Sequence, residues 1–162
     1  MVVVTLIMDS SKSRPLGAAF LLAQLGSHAA ECYGERTQVL GVTPAHSGIL
    51  RLIAITPSCN QLALAKRLGV LPSRMVMLID ELSEKKLVKR RRSRKDRRHS
   101  ELILTKAGER MFERLSTVAA KHEEALCAAL TQDEKITLMA LCQKIADQQG
   151  LTPGVHPGYR KL

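Results

Sequence analysis

Apolar positions recur at helical spacing along most of the chain, and glycine, proline and short polar residues divide it into segments. Residues 16–39 contain no proline and only Gly17, Gly26 and Gly34 as breakers, which predicts one long, imperfect helix. Thr43 followed by Pro44 reads as an N-cap with proline at the first helical position. Ile49, Leu50, Ile53 and Ala54 then form a stripe that ends at Thr56-Pro57. Asn60 is the next cap, with Leu64, Ala65 and Leu68 as the buried side and Gly69 as the stop. A three-residue link, Gly69-Val70-Leu71, leads to Pro72-Ser73 and a fourth helix. In it Met75, Leu78, Ile79 and Leu82 repeat as i, i+3, i+4 and i+7.

The pattern changes after that. Leu87-Val88 enters a basic stretch and Glu101-Leu102-Ile103-Leu104 leaves it, which predicts two short strands joined by a charged turn. Thr105 caps a further helix with Met111, Leu115, Val118, His122 and Leu126 on one side. Thr131 to Glu134 is a capping box, and Leu138, Leu141, Cys142 and Ile145 mark the final helix. Past Gln149 glycine and proline predict a loose tail. The resulting fold is mainly α with a small β-hairpin wing, a winged helix-turn-helix flanked by N- and C-terminal helices. In such a domain the second helix of the pair enters the DNA major groove and the first braces it.

At 162 residues the chain has the size of one domain, and 45% apolar residues suffice for a core. No stretch approaches the length of apolar sequence that spans a membrane. The apolar start, Met1 to Met8, lacks a preceding cation and stops at Asp9, unlike a signal peptide. Cysteines at 32, 59, 127 and 142 form no CxxC pair, so a reducing, cytoplasmic setting is expected.

Charge narrows the function. Residues 85–98 hold ten basic side chains and one acid, Asp96, a net +9 out of +10 for the whole chain. A concentrated strip of this kind points to a polyanion. Aromatic residues are 2% of the chain (Phe20, Tyr33, Phe112, Tyr159) and none lies in the strip, which disfavours single strands read by stacking. An anionic membrane would want an interleaved apolar face that is absent. Duplex DNA needs only phosphate neutralisation. A solvated charged loop, a non-specific nucleoid-type coater and a protein-interaction module are the other readings.

Asp96-Arg97-Arg98 followed by Leu104-Thr105-Lys106-Ala107-Gly108 carries a DxR…LTxxG pattern. Before it come Thr43-Pro44 with Ile49-Leu50, then Leu64-Ala65-Lys66-Arg67-Leu68-Gly69-Val70, Ser73, Asp80-Glu81-Leu82 and Leu87-Val88-Lys89-Arg90. In this order the blocks resemble the MarR family of bacterial transcription regulators, over residues 16 to about 145. The resemblance implies a ligand-responsive repressor that acts as a homodimer on a pseudo-palindromic operator. Its DNA-binding part would span about 43–105 and its dimerisation helices about 16–40 and 106–148, with an N-terminal extension at 1–15 and a C-terminal tail at 149–162. It further implies that Ser73, Arg74, Val76 and Met77 face the major groove, with Arg74 able to pair with guanine. Arg94, Lys95, Arg97 and Arg98 would form the wing, Asp96 would brace Arg98, and Asn60 and Gln61 would meet phosphate at a helix N-terminus. The chain departs from the family pattern at Lys86, where glycine is usual, and at Val76 and Met77, which are commonly polar.

Other chemistry is thinner. Cys59, just before the Asn60 cap, suits a core thiol. Some members of the family sense peroxides through a first-helix cysteine, a role the resemblance would give Cys32 beside Tyr33, but Glu31 and Glu35 nearby would not lower a thiol pKa. His28, Glu31 and Cys32 share a helix face without a second ligand motif, so no metal site is expected. Family pockets for small phenolic or aromatic effectors lie between the first, second and fifth helices, which would gather His28, Cys32, His46 and His122. No GxSxG, P-loop or HExxH motif occurs, and Asp96 among arginines should stay ionised. Neither an enzyme nor a cofactor is expected.

Overall fold

The computed structural model describes residues 17–56, 59–92 and 100–156. Six helices and one hairpin follow in the order α1 (Ala18–Gln38), α2 (Pro44–Ile55), α3 (Gln61–Leu68), α4 (Pro72–Glu84), β1 (Val88–Arg92), β2 (Ser100–Leu104), α5 (Lys106–Leu126) and α6 (Gln132–Gln148). The predicted caps form. The Thr43 hydroxyl accepts the His46 N–H, Asn60 accepts that of Ala63, Thr105 that of Gly108 and Thr131 that of Glu134. Gly69 takes the left-handed conformation (φ 64°) that closes α3 and turns the chain into α4.

The core sits where α2, α3 and α4 meet the base of the hairpin. Ile49, Leu50, Leu64, Met75, Ile79 and Leu82 are its most enclosed members, each contributing about 2 kcal/mol of apolar transfer free energy. The antiparallel strands pair from Val88↔Leu104 to Arg92↔Ser100. Leu102 N–H donates to the Cys59 carbonyl at 2.7 Å, so the chain just before α3 flanks the hairpin.

Two expectations shift, in α2 and past Gln149. Ala54 is exposed and Leu52 is buried instead, because the last turn of α2 looks onto an open cleft rather than the core. On α5 only Leu115 of the predicted face is fully buried. Leu126 is exposed, lying beyond the reach of the α2–α4 core. The α6 stripe of Leu138, Leu141 and Ile145 is exposed, with Cys142 half-buried. Residues 150–156 are not loose. They turn back over α2, where Arg51 Nη1 donates to the Gly154 carbonyl at 3.2 Å and Val155 packs on the core.

Lys86 carries the glycine departure into the backbone. Its φ of 58° makes it the one non-glycine residue with positive φ among those described. A Cβ there costs about 1–2 kcal/mol, part of which glycine would return as unfolded-state entropy. Replacing Lys86 with Gly should therefore raise stability by roughly 0.5 kcal/mol, readable as a higher urea midpoint at unchanged m-value.

Candidate nucleic-acid interface

The exposed side of α4 follows from its buried stripe. With Met75, Leu78, Ile79 and Leu82 turned inward, Ser73, Val76 and Met77 point to solvent, Val76 39% and Met77 53% exposed. Neither apolar side chain packs into the core. Arg74 is half-buried on the flank facing α2, and its Nε is enclosed without a hydrogen-bond partner among the described residues. Of the helices α2 to α5, α4 alone begins without a side-chain cap, so its first amides stay open to an incoming oxygen.

The wing is fastened to that helix. Arg90 on β1 donates to Asp80 Oδ1 of α4 at 2.8 Å and to Gln61 Oε1 of α3 at 3.3 Å. One guanidinium thus ties the hairpin, the exposed helix and the start of α3 together. Both partners are about half exposed, so the tie sets direction more than stability. Arg91 reaches Glu101 across the strands at 3.1 Å, and Glu101 is 4% exposed. A carboxylate enclosed this far needs such a partner. Beyond Val88, β1 presents Lys89, Arg90, Arg91 and Arg92 outward.

Of the sequence-derived residues, Asn60 caps α3 and Gln61 meets Arg90, both beside the wing. Arg94, Lys95, Asp96, Arg97 and Arg98 lie outside the described residues. Arg90, Asp80 and Glu101 were missed as a set. The signals were the ten-residue step from Asp80 to Arg90 and the strand register that places Arg91 opposite Glu101.

The four residues expected to share an effector pocket divide. Cys32 Sγ lies 3.6 Å from His28 Nε2 on α1. Tyr33 and His122 meet tilted by 51° with ring centroids 5.5 Å apart, and burial first, then the charges of Arg36 and His28, push the His122 pKa down. His46 instead turns into the core toward α4, with Nε2 3.0 Å from Glu81 Oε2. A second concavity of about 870 Å³ opens between the end of α2, β2 and α5, walled by Ile53, Leu102, Leu104 and Phe112. Glu109, Glu113 and Arg91 supply its charged lining. Among the described residues no group of three or more His, Cys, Asp or Glu is arranged to hold a metal. No described helix is long and apolar enough to cross a membrane.

Burial pushes the His46 pKa below the usual histidine value, and Lys85 and Arg74 add to this against the opposing pull of Glu81. The unfolded chain then takes up a proton below about pH 6.5 that the folded one refuses. Stability should be flat in this respect above pH 6.5 and fall as pH drops, at up to about 1.4 kcal/mol per pH unit, until the folded ring is protonated. Urea midpoints at pH 7.5 and 5.5 measure the slope, and a His46→Gln variant should lose it.

A family model described as the MarR family matches residues 40–99, which run from just after α1 past the end of β1. The putative transcriptional regulatory protein for the hcr operon of Thauera aromatica is 33% identical over 117 residues, covering 72% of this chain and 70% of that protein. The chain belongs to the MarR family. The HTH-type transcriptional repressor MdtR of Bacillus subtilis (strain 168) is 30% identical over 112 residues, 69% of this chain and 72% of MdtR. Among solved structures, the transcriptional repressor CouR bound to a 23-mer DNA duplex superposes with a TM-score of 0.71 at 29% identity, over 80% of this chain and 92% of CouR. CouR from Rhodococcus jostii RHA1 bound to p-coumaroyl-CoA, with a TM-score of 0.69 and 23% identity over 84% of this chain and 96% of that one, supports the fold. This MarR-type chain is a transcriptional regulator, a non-enzymatic role, on a winged helix-turn-helix.

Proposed function

We propose that the protein is a homodimeric, ligand-responsive repressor that reads a pseudo-palindromic operator in duplex DNA. The observation that carries this reading is the joining of an outward, uncapped α4 face to a cationic wing through Arg90, Asp80 and Gln61. Ser73, Val76 and Met77 reach into the major groove, the two apolar side chains suiting thymine methyls, while Arg74 extends from its flank to a guanine edge. Asn60 and Gln61 approach phosphate, and the wing cations Arg94, Lys95, Arg97 and Arg98 follow the adjacent backbone, with Asp96 bracing Arg98.

The dimer is supported by apolar surface that this chain leaves uncovered. Phe20, Leu21 and Leu25 on α1 and Ile136, Met139 and Leu141 on α6 are all more than 40% exposed. Patches of that kind mark association surfaces. Pairing through α1, α5 and α6 sets two α4 helices about one DNA turn apart. Light scattering at micromolar concentration should give a dimer, and a footprint should show two half-sites. A monomer, or protection of a single half-site, would contradict the reading.

An effector of small aromatic or phenolic character fits the corner of His28, Cys32 and His122. There the His122 Nδ1 is enclosed without a hydrogen-bond partner among the described residues, and Arg36 is close.

A further inference from the structure

His46 does two jobs at once, and the second one reaches α4. It stands at the third position of α2, 2% exposed. Its Nδ1 accepts the Thr43 N–H at 3.3 Å, while the Thr43 hydroxyl accepts the His46 N–H at 3.2 Å. A ring nitrogen that accepts a hydrogen bond carries no proton, so the neutral ring holds its proton on Nε2. That atom lies 3.0 Å from Oε2 of Glu81, off the best line for a hydrogen bond, and no other described polar atom satisfies it.

Capping boxes ordinarily place glutamate or glutamine at this position. Either would close the box, but glutamate then has no N–H left for a further partner. Histidine has one, and here it is spent on the next helix but one. Around the ring, α4 contributes Glu81, Arg74 and Lys85. The neighbouring Ser47 of α2 is held by the Tyr33 hydroxyl of α1 at 2.8 Å. The first turn of α2 is therefore pinned on one side to α1 and on the other to α4.

We infer that His46 is a positioning residue for base reading, which acts through Glu81 to set the angle at which α4 offers Ser73, Val76 and Met77 to DNA. It cannot touch DNA itself, being enclosed. The inference rests on the reading of α4 as the DNA-reading helix. Its action is on preference: a tilted α4 loses base contacts, whereas wing contacts to phosphate persist on any sequence.

The test compares operator with random duplex for the full-length protein and four variants. His46→Asn keeps an acceptor at the Nδ1 position for Thr43 and is too short to reach Glu81. Glu81→Ala removes the partner, Glu81→Gln keeps an acceptor for Nε2, and the His46→Asn/Glu81→Ala double closes the cycle. The expected result is a roughly tenfold fall in the operator-to-random ratio for His46→Asn and for Glu81→Ala. The double should lose no more than either single, Glu81→Gln should recover most of the ratio, and the salt slope should stay constant throughout. A parent-like ratio in His46→Asn, losses that multiply in the double, or an equal loss on both DNAs would overturn the inference. Should His46→Asn fail to fold, the Glu81 pair decides alone, because that side chain is 46% exposed. A parent protein that shows no operator preference sinks the prior reading instead, so the two failures are distinguishable.

Discussion

Replacing Gly108 with alanine should destabilise the protein by about 3 kcal/mol or more and loosen the wing. A Cβ at this position would stand 2.0 Å from the Leu87 carbonyl oxygen and 3.0 Å from its carbon. The obstacle is backbone, so no side-chain rotation relieves it. Leu87 cannot simply withdraw, because its carbonyl accepts the Thr105 N–H at 3.0 Å while the Thr105 hydroxyl donates to the Lys86 carbonyl at 2.6 Å. Making room for one methyl group therefore opens the clasp that joins the start of β1 to the start of α5. Overpacking alone costs about 1–3 kcal/mol, and each hydrogen bond lost adds about 1 kcal/mol. For a chain of this size the melting temperature should drop by roughly 10 °C. A thermal melt within 2 °C of the parent would show that the approach of Gly108 to Leu87 is not a constraint.

The second large effect lies in the wing. Replacing Arg94, Lys95, Arg97 and Arg98 together with alanine takes the net charge from +10 to +6. If each cation meets one phosphate, the slope of log affinity against log salt should flatten by about 3.6. At 0.1 M salt the affinity for any duplex should fall by roughly 10³-fold by the same relation, with the operator-to-random ratio changing far less. Stability should hold or rise, because like charges at this density repel in the free protein. Titrations at four salt concentrations give the slope. An unchanged slope would place the phosphate contacts elsewhere, with Lys89, Arg91 and Arg92 as the next cations to replace.

Legibility in the sequence tracked locality. Caps at Thr43, Asn60, Thr105 and Thr131 are short-range chemistry, and each stands where the pattern places it. The α4 stripe was equally readable, since four apolar residues at i, i+3, i+4 and i+7 leave one buried face. The α6 stripe has the same spacing, and its residues are exposed. Periodicity shows that a face is apolar and is silent on what covers it. Long-range pairings were the hidden part. The family pocket would gather His46 with His28, Cys32 and His122, whereas the box with Thr43 turns it the other way, toward Glu81. The resemblance puts Arg74 toward the groove, whereas its half-buried flank position shows only when α2 is packed against it. The Gly150–His156 segment had the composition of a free tail, and one long side chain, Arg51, holds it down.

The most direct test of the central claim is retention of genomic DNA fragments by the protein at rising salt. Specific sites typically bind 10³-fold or more tighter than bulk DNA. The account predicts that one or a few fragments stay bound after bulk binding has gone, and that these carry inverted repeats about one helical turn apart. Uniform release of all fragments as salt rises would contradict it in favour of a non-specific coater, and no retention at low salt would remove DNA as the partner altogether.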